Sequence, residues 1–136
     1  MKRTITALSL AIVVGAAGPA LATGPKGKVT PNTLLANDQV LIVTGKHFSA
    51  GENVYIVECN SSVMTTGIDA CNTQSDIGGA TTTRKGLVPA TTYTVLTGVI
   101  GNGSCGTSGA DRKCYIAISN SSINQNALVE VYFAVP

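Results

Sequence analysis

The chain has 136 residues, of which 44% are hydrophobic and only 12% charged, with four cysteines, no tryptophan and a formal net charge of +2. That length suits a single domain with one modest core. A near-neutral balance without a dense basic run gives no electrostatic footprint for a phosphate backbone, so direct nucleic-acid binding is not expected.

At the start, Lys2 and Arg3 precede an apolar run over residues 7–17, followed by Gly18, Pro19 and the small-residue pattern Ala20-Leu21-Ala22. This is the three-part layout of a secretory signal peptide. The run falls short of the ~20 residues a helix needs to cross a bilayer, and nothing later is long and apolar enough to try. Residues 1–22 are therefore expected to be removed on export, leaving a secreted, extracellular domain at 23–136 without a membrane anchor. Losing Lys2 and Arg3 leaves seven basic residues against seven acidic ones, a formal net charge of zero.

Past this leader no window carries a sustained 3.6-residue apolar period, while Thr, Val, Ile, Gly, Ser and Asn abound, so short strands divided by turns are expected. In chain order they fall at residues 28–31, 39–44, 53–58, 79–83, 91–96, 114–119 and 127–134. Turn clusters separate them, among them Ala36-Asn37-Asp38, Ser49-Ala50-Gly51-Glu52, Arg84-Lys85-Gly86 and Gly101-Asn102-Gly103. Such a series predicts an all-β fold, a seven-stranded antiparallel immunoglobulin-like sandwich.

In the last strand Val129, Val131 and Phe133 fall two apart, with Glu130 and Tyr132 turned the other way, as a strand with one wet face requires. Two strands break that rule: Val54-Tyr55-Ile56-Val57 and Tyr115-Ile116-Ala117-Ile118 are apolar or aromatic on both faces. If Val54, Ile56, Ile116 and Ile118 enter the core, then Tyr55, Val57 and Cys59 share the outer face of the third strand, and Tyr115, Ala117 and Ser119 that of the sixth. These strands are neighbours in an immunoglobulin-like order, so the six residues would form one patch ending at the cysteine-bearing loops. A patch of this kind either marks a binding surface or is covered by a loop. Val40-Leu41-Ile42-Val43 has the same continuous character, and both readings stay open.

Zinc knuckles favour closely spaced C-x-x-C pairs, often with histidine. Here Cys59 and Cys71 are separated by 11 residues, Cys105 and Cys114 by 8, and the one histidine, His47, lies elsewhere. An exported chain with an even cysteine count is better read as stapled than as metal-binding or redox-active. Of the three possible pairings, Cys59 with Cys71 and Cys105 with Cys114 each bracket a polar, glycine-rich stretch of hairpin length, and this local pairing is expected.

Catalysis would need a nucleophile, a base and a group that orients the base. His47 sits in a glycine-bounded turn and the carboxylates are scattered. Gly101-Asn102-Gly103-Ser104-Cys105-Gly106 lacks both the strand-to-helix context and the lysine of a phosphate loop. Neither enzymatic activity nor a required cofactor is expected, and the domain is read as a monomer.

With strands and cysteines placed, the chain resembles the neocarzinostatin family, secreted apoproteins that carry enediyne chromophores. The resemblance runs through Val29-Thr30-Pro31, the unit Gly45-Lys46-His47-Phe48-Ser49-Ala50-Gly51-Glu52-Asn53-Val54-Tyr55-Ile56-Val57-Glu58-Cys59, then Cys71-Asn72 and Cys114-Tyr115-Ile116-Ala117-Ile118-Ser119-Asn120. The Gly-x-x-Phe-x-x-Gly turn is common to many modules, whereas a hairpin cystine directly after the third strand and another just before the sixth are specific. The resemblance implies a cleft flanked by both disulfide hairpins that holds a small apolar or aromatic molecule, a non-covalent chromophore in relatives. Its contact positions would be Tyr55, Val57, Cys59, Cys71, Tyr115, Ala117 and Ser119. Burial would shield an unstable guest from water and thiols, and rigid walls reduce the ordering cost of binding. The family's DNA-binding and antimicrobial labels belong to the released chromophore. Ser61 stands where chromophore-carrying members have Trp, residues 96–102 hold no Phe, and both loops are longer, so stacking would fall to Tyr55 and Tyr115. The alternative is a secreted immunoglobulin-like interaction or cell-envelope module with no small ligand.

Overall fold

The β-branched, alternating segments fold as strands because such side chains pack well on a half-buried pleat. The computed structural model describes residues 24–135, and the expected signal peptide at 1–22 lies outside them. The described strands are β1 (Lys26–Thr30), β2 (Val40–Lys46), β3 (Asn53–Cys59), β4 (Gly78–Thr81), β5 (Val88–Thr94), β6 (Gly98–Ile100), β7 (Gly103–Cys105), β8 (Lys113–Asn120) and β9 (Asn126–Tyr132). No helix among the described residues is long and apolar enough to cross a membrane.

Two antiparallel sheets form the sandwich, one ordered β1-β2-β5 and the other β4-β3-β8-β9, while β6 and β7 pair as a separate ribbon. The seven strands of the sandwich are those expected, with ends shifted by up to three residues. Between the sheets lies the core, which buries Leu35, Leu41, Val43, Val54, Ile56, Ile116, Ile118, Val131 and Phe133. Period-two alternation supplies it: Val54 and Ile56 point in from β3, Ile116 and Ile118 from β8. Phe48, in the turn before β3, is buried as well.

Two departures from the expected elements have physical causes. The fifth strand ends at Thr94 rather than at residue 96, because the Leu96 amide donates to the Glu58 carboxylate at 2.8 Å instead of to a neighbouring strand. The β6–β7 ribbon was not anticipated, since strands of three residues are too short to show alternation. Its turn, Gly101-Asn102-Gly103, was anticipated, and Gly101 has the positive φ of 59° that favours glycine there.

Both disulfides form as expected, Cys59–Cys71 and Cys105–Cys114. They lie on opposite faces of the same sheet. Cys59 follows Tyr55 and Val57 on the outer side of β3, whereas Cys114 precedes Ile116 and Ile118 on the inner side of β8 and joins the main core with Cys105. The first loop closes back on β3, the Asn60 amide donating to Ala70 at 2.9 Å and the Asn72 amide to Glu58 at 2.8 Å. Within it Val63–Thr66 forms one helical turn and Gly67–Ala70 a 3₁₀ turn. The second loop is organised by Asp111, whose carboxylate accepts from the Ser104 hydroxyl at 2.6 Å, from the Thr107 hydroxyl and from the Thr107 and Ser108 amides. The Ser104 and Thr107 hydroxyls hold that carboxyl well below the usual range.

Candidate functional site

On the outer face of the β4-β3-β8-β9 sheet, backbone register sets the expected residues side by side. Tyr55 lies opposite Ser119, Val57 opposite Ala117 and Cys59 opposite Tyr115. From β9 the same face receives Asn126 beside Ser119, Leu128 beside Ala117 and Glu130 beside Tyr115. The first disulfide loop rises over one side of this grid and the β8–β9 turn over another. Between them lies a groove of about 230 Å³.

Four of the seven expected contact residues line it: Val57, Cys71, Ala117 and Ser119. The other three share the face but stand outside the groove. Cys59 is fully buried beneath it in the disulfide, and Tyr115 packs half-buried beside that cystine, its ring under the Lys113 ammonium at 5.6 Å. Tyr55 is 47% exposed toward the β4 edge, where it lies opposite Gly79. The groove's remaining walls come from Val63, Gly67 and Ile68 of the disulfide loop, Ile123 of the β8–β9 turn, and Asn126 and Leu128 of β9. Leu128 was accessible to sequence reasoning, because alternation with Val129 and Val131 already turned it outward. Val63 and Ile68 were not, since they depend on helical turns inside a loop that shows no period.

The walls are therefore aliphatic, with Ser119 and Asn126 the polar side chains, and Ile68 and Ile123 protrude at 56% and 57% exposure from opposite sides. Such a surface gains from excluding water and holds few directed hydrogen bonds, which suits an apolar guest over a polar one. The second disulfide takes no part: its sulfurs sit in the core on the sheet's other face. Where both hairpins were expected to flank the cleft, only the first does, and strand parity is the reason.

A clamp fixes the disulfide-loop wall. Asn60, almost wholly buried, donates to the Ile100 carbonyl at 2.8 Å and to Asn102 Oδ1 at 2.9 Å, and accepts from the Ser62 amide and hydroxyl at 2.8 and 2.7 Å. The ribbon turn thus docks on the loop, with the Asn102 amide donating to Asp69 at 2.9 Å. Satisfied buried networks of this kind rigidify the elements they join.

Beneath the same strand sits Glu58, fully buried with the core side chains because it shares the inward parity of Val54 and Ile56. Its Oε1 accepts from Leu96, its Oε2 has no partner among the described residues, and its own amide donates to the Tyr93 hydroxyl at 3.0 Å across the sandwich. Burial pushes the carboxyl from its usual 4.5 up to about 7, the Leu96 N–H opposes the rise, and the charge of Asp76 adds to it. The Tyr93 hydroxyl is raised by burial and then by the neighbouring Glu58 charge. His47 occupies its turn with a φ of 67°, and its Nδ1 lies 3.3 Å from the Gly24 carbonyl.

Superposition on solved structures matches this sandwich to macromomycin, with a TM-score of 0.60 at 20% identity over 82% of this chain and 100% of that one. The fold is shared. It is shared also with the solution conformation of apokedarcidin, at a TM-score of 0.53 and 19% identity over 81% of this chain and 98% of that one. No protein-family model and no curated protein sequence matches the chain. At these identities the likeness is one of fold, spanning both sheets and nearly all of each matched structure.

Proposed function

We propose that the protein is a secreted, non-enzymatic carrier that holds a small apolar or aromatic molecule in the groove over β3 and β8. The observation that carries this reading is the apolar concavity itself, walled by the first disulfide loop and the β8–β9 turn over the outer face of β3 and β8, in a fold shared with macromomycin and apokedarcidin. The sequence pattern that resembles the neocarzinostatin family points the same way. Val57, Cys71, Ala117 and Leu128 would supply the contact area and Ser119 a hydroxyl, with Tyr115 and Tyr55 bordering the guest. The volume lies just below the usual ligand range of about 300–1,000 Å³, so a guest of a few rings would keep part of its surface in water.

The test is titration of the purified protein with uncharged polycyclic aromatics, followed through tyrosine emission, since the chain has no tryptophan. Saturable 1:1 binding that Ala117→Phe abolishes is the expected result. Binding that survives Ala117→Phe and Leu128→Asp alike would dismiss this groove, and an extract of secreting cells that yields a protein partner and no small molecule would favour an interaction module instead.

A further inference from the structure

A concavity larger than this groove lies on the other sheet. It has a volume of about 740 Å³ and is lined by Lys26, Lys28, Lys46, Leu87, Val88 and Pro89, with Thr44, Thr83 and two glycines between them. We propose that this face is a second binding site, for a small amphipathic anion whose apolar body rests on Leu87, Pro89 and the lysine stems while its carboxylate, sulfonate or phosphate head sits among the three ammonium groups.

Charge placement is the first argument. The β1–β2 register sets Lys26 directly opposite Lys46, with Lys28 two residues along on the same face, opposite Thr44. Like charges directly opposite each other on a sheet destabilise it. Among the described residues the only ion pair is Lys113 with Glu130, at 3.2 Å on the other sheet, so no carboxylate offsets this repulsion. A bound anion would. Arg84 and Lys85 occupy the adjoining turn after Thr83, so five of the seven basic residues of the described chain collect at this end. Asp38, Asp69, Asp76 and Asp111 fall in loops at the opposite end, and Glu52, the acid nearest this end in the chain, is held by the Asn120 amide at 3.2 Å. The described residues, with seven basic and seven acidic side chains, are thus folded into a molecule with a basic end.

Apolar continuity is the second argument. Outward parity on β2 carries the face from Lys46 and Thr44 to Ile42 and Val40, which are 42% and 54% exposed, and Leu87 is exposed beside the lysines. Lysine stems pack along apolar bodies while their heads stay in water, so the same side chains serve both parts of an amphipathic anion. An uncharged guest would leave the ammonium cluster unanswered, and an inorganic anion would leave the apolar strip bare.

The probe is 8-anilinonaphthalene-1-sulfonate, whose emission rises on apolar binding. One saturable site is expected, weakened about tenfold or more by the combined substitutions Lys26→Gln, Lys28→Gln and Lys46→Gln, weakened by added salt, displaced by dodecanoate, and retained in Ala117→Phe, which blocks the other groove. Lys46→Glu supplies a control on folding: it turns the opposed pair into an attractive one, so it should raise Tm while abolishing binding. The proposal is overturned if affinity is unchanged in the triple variant, if no saturable site is found below about 1 mM, if Ala117→Phe removes the signal, or if the protein sediments with phosphatidylglycerol vesicles while monomeric dodecanoate fails to displace the probe.

Discussion

Glu58 offers the sharpest quantitative check, and the perturbation is Glu58→Gln. The folded chain holds this carboxyl near pH 7, against 4.5 when exposed, because burial penalises the charged form more than the Leu96 amide stabilises it. Between those values the folded state binds the extra proton, so Glu58's contribution to stability is fully present below pH 4.5 and is lost as pH rises through 7. At about 1.4 kcal/mol per pH unit, that window amounts to about 3 to 4 kcal/mol. Glutamine keeps an oxygen for the Leu96 N–H and has no proton to lose. Urea unfolding at a series of pH values from 4 to 8, read by far-ultraviolet circular dichroism, should show the natural chain losing stability relative to the variant across that window. At pH 4 the two should agree within about 1 kcal/mol, the scale of one rearranged hydrogen bond. Stability curves that run parallel from pH 4 to 8 would refute the assignment of a buried, proton-retaining acid, and a variant that loses ground as pH rises would reverse its sign.

Three further outcomes follow from the same packing. Gly101→Ala should cost roughly 2–4 kcal/mol in urea unfolding, because its Cβ would lie 2.3 Å from the Ala70 backbone carbon at a residue already at positive φ. Tyr93→Phe removes the acceptor of the buried Glu58 amide and should cost about 1–3 kcal/mol, measured as the shift in urea midpoint. Replacing Cys59 and Cys71 together by serine opens a loop with a sequence separation of 12, which should cost about 3 kcal/mol and loosen one wall of the groove, so guest affinity should fall with stability in paired titrations.

Much of the fold was legible because strand signals are local. Period two in Val54 to Cys59 and in Cys114 to Ser119 named both the inward and the outward residues, and the register later placed Val57 beside Ala117 as that alternation required. The same rule turned Glu58 inward with Val54 and Ile56, and turned Cys59 and Cys114 to opposite faces, so the separation of the two disulfides was present in residue parity. Val63 and Ile68 were hidden, since their position over the sheet depends on a loop closed by a cystine and docked on Asn60 and Asn102.

Composition, alternation and cysteine spacing by themselves determined an all-β domain, the places of its sandwich strands along the chain and its two local disulfides, because each depends on residues close together in the chain. Tertiary structure alone decided which residues enclose the groove and that the basic side chains gather at one end. Both depend on segments far apart in sequence, Lys26 with Lys46 or Val57 with Leu128, and their proximity is set by strand pairing and sheet packing rather than by local preference.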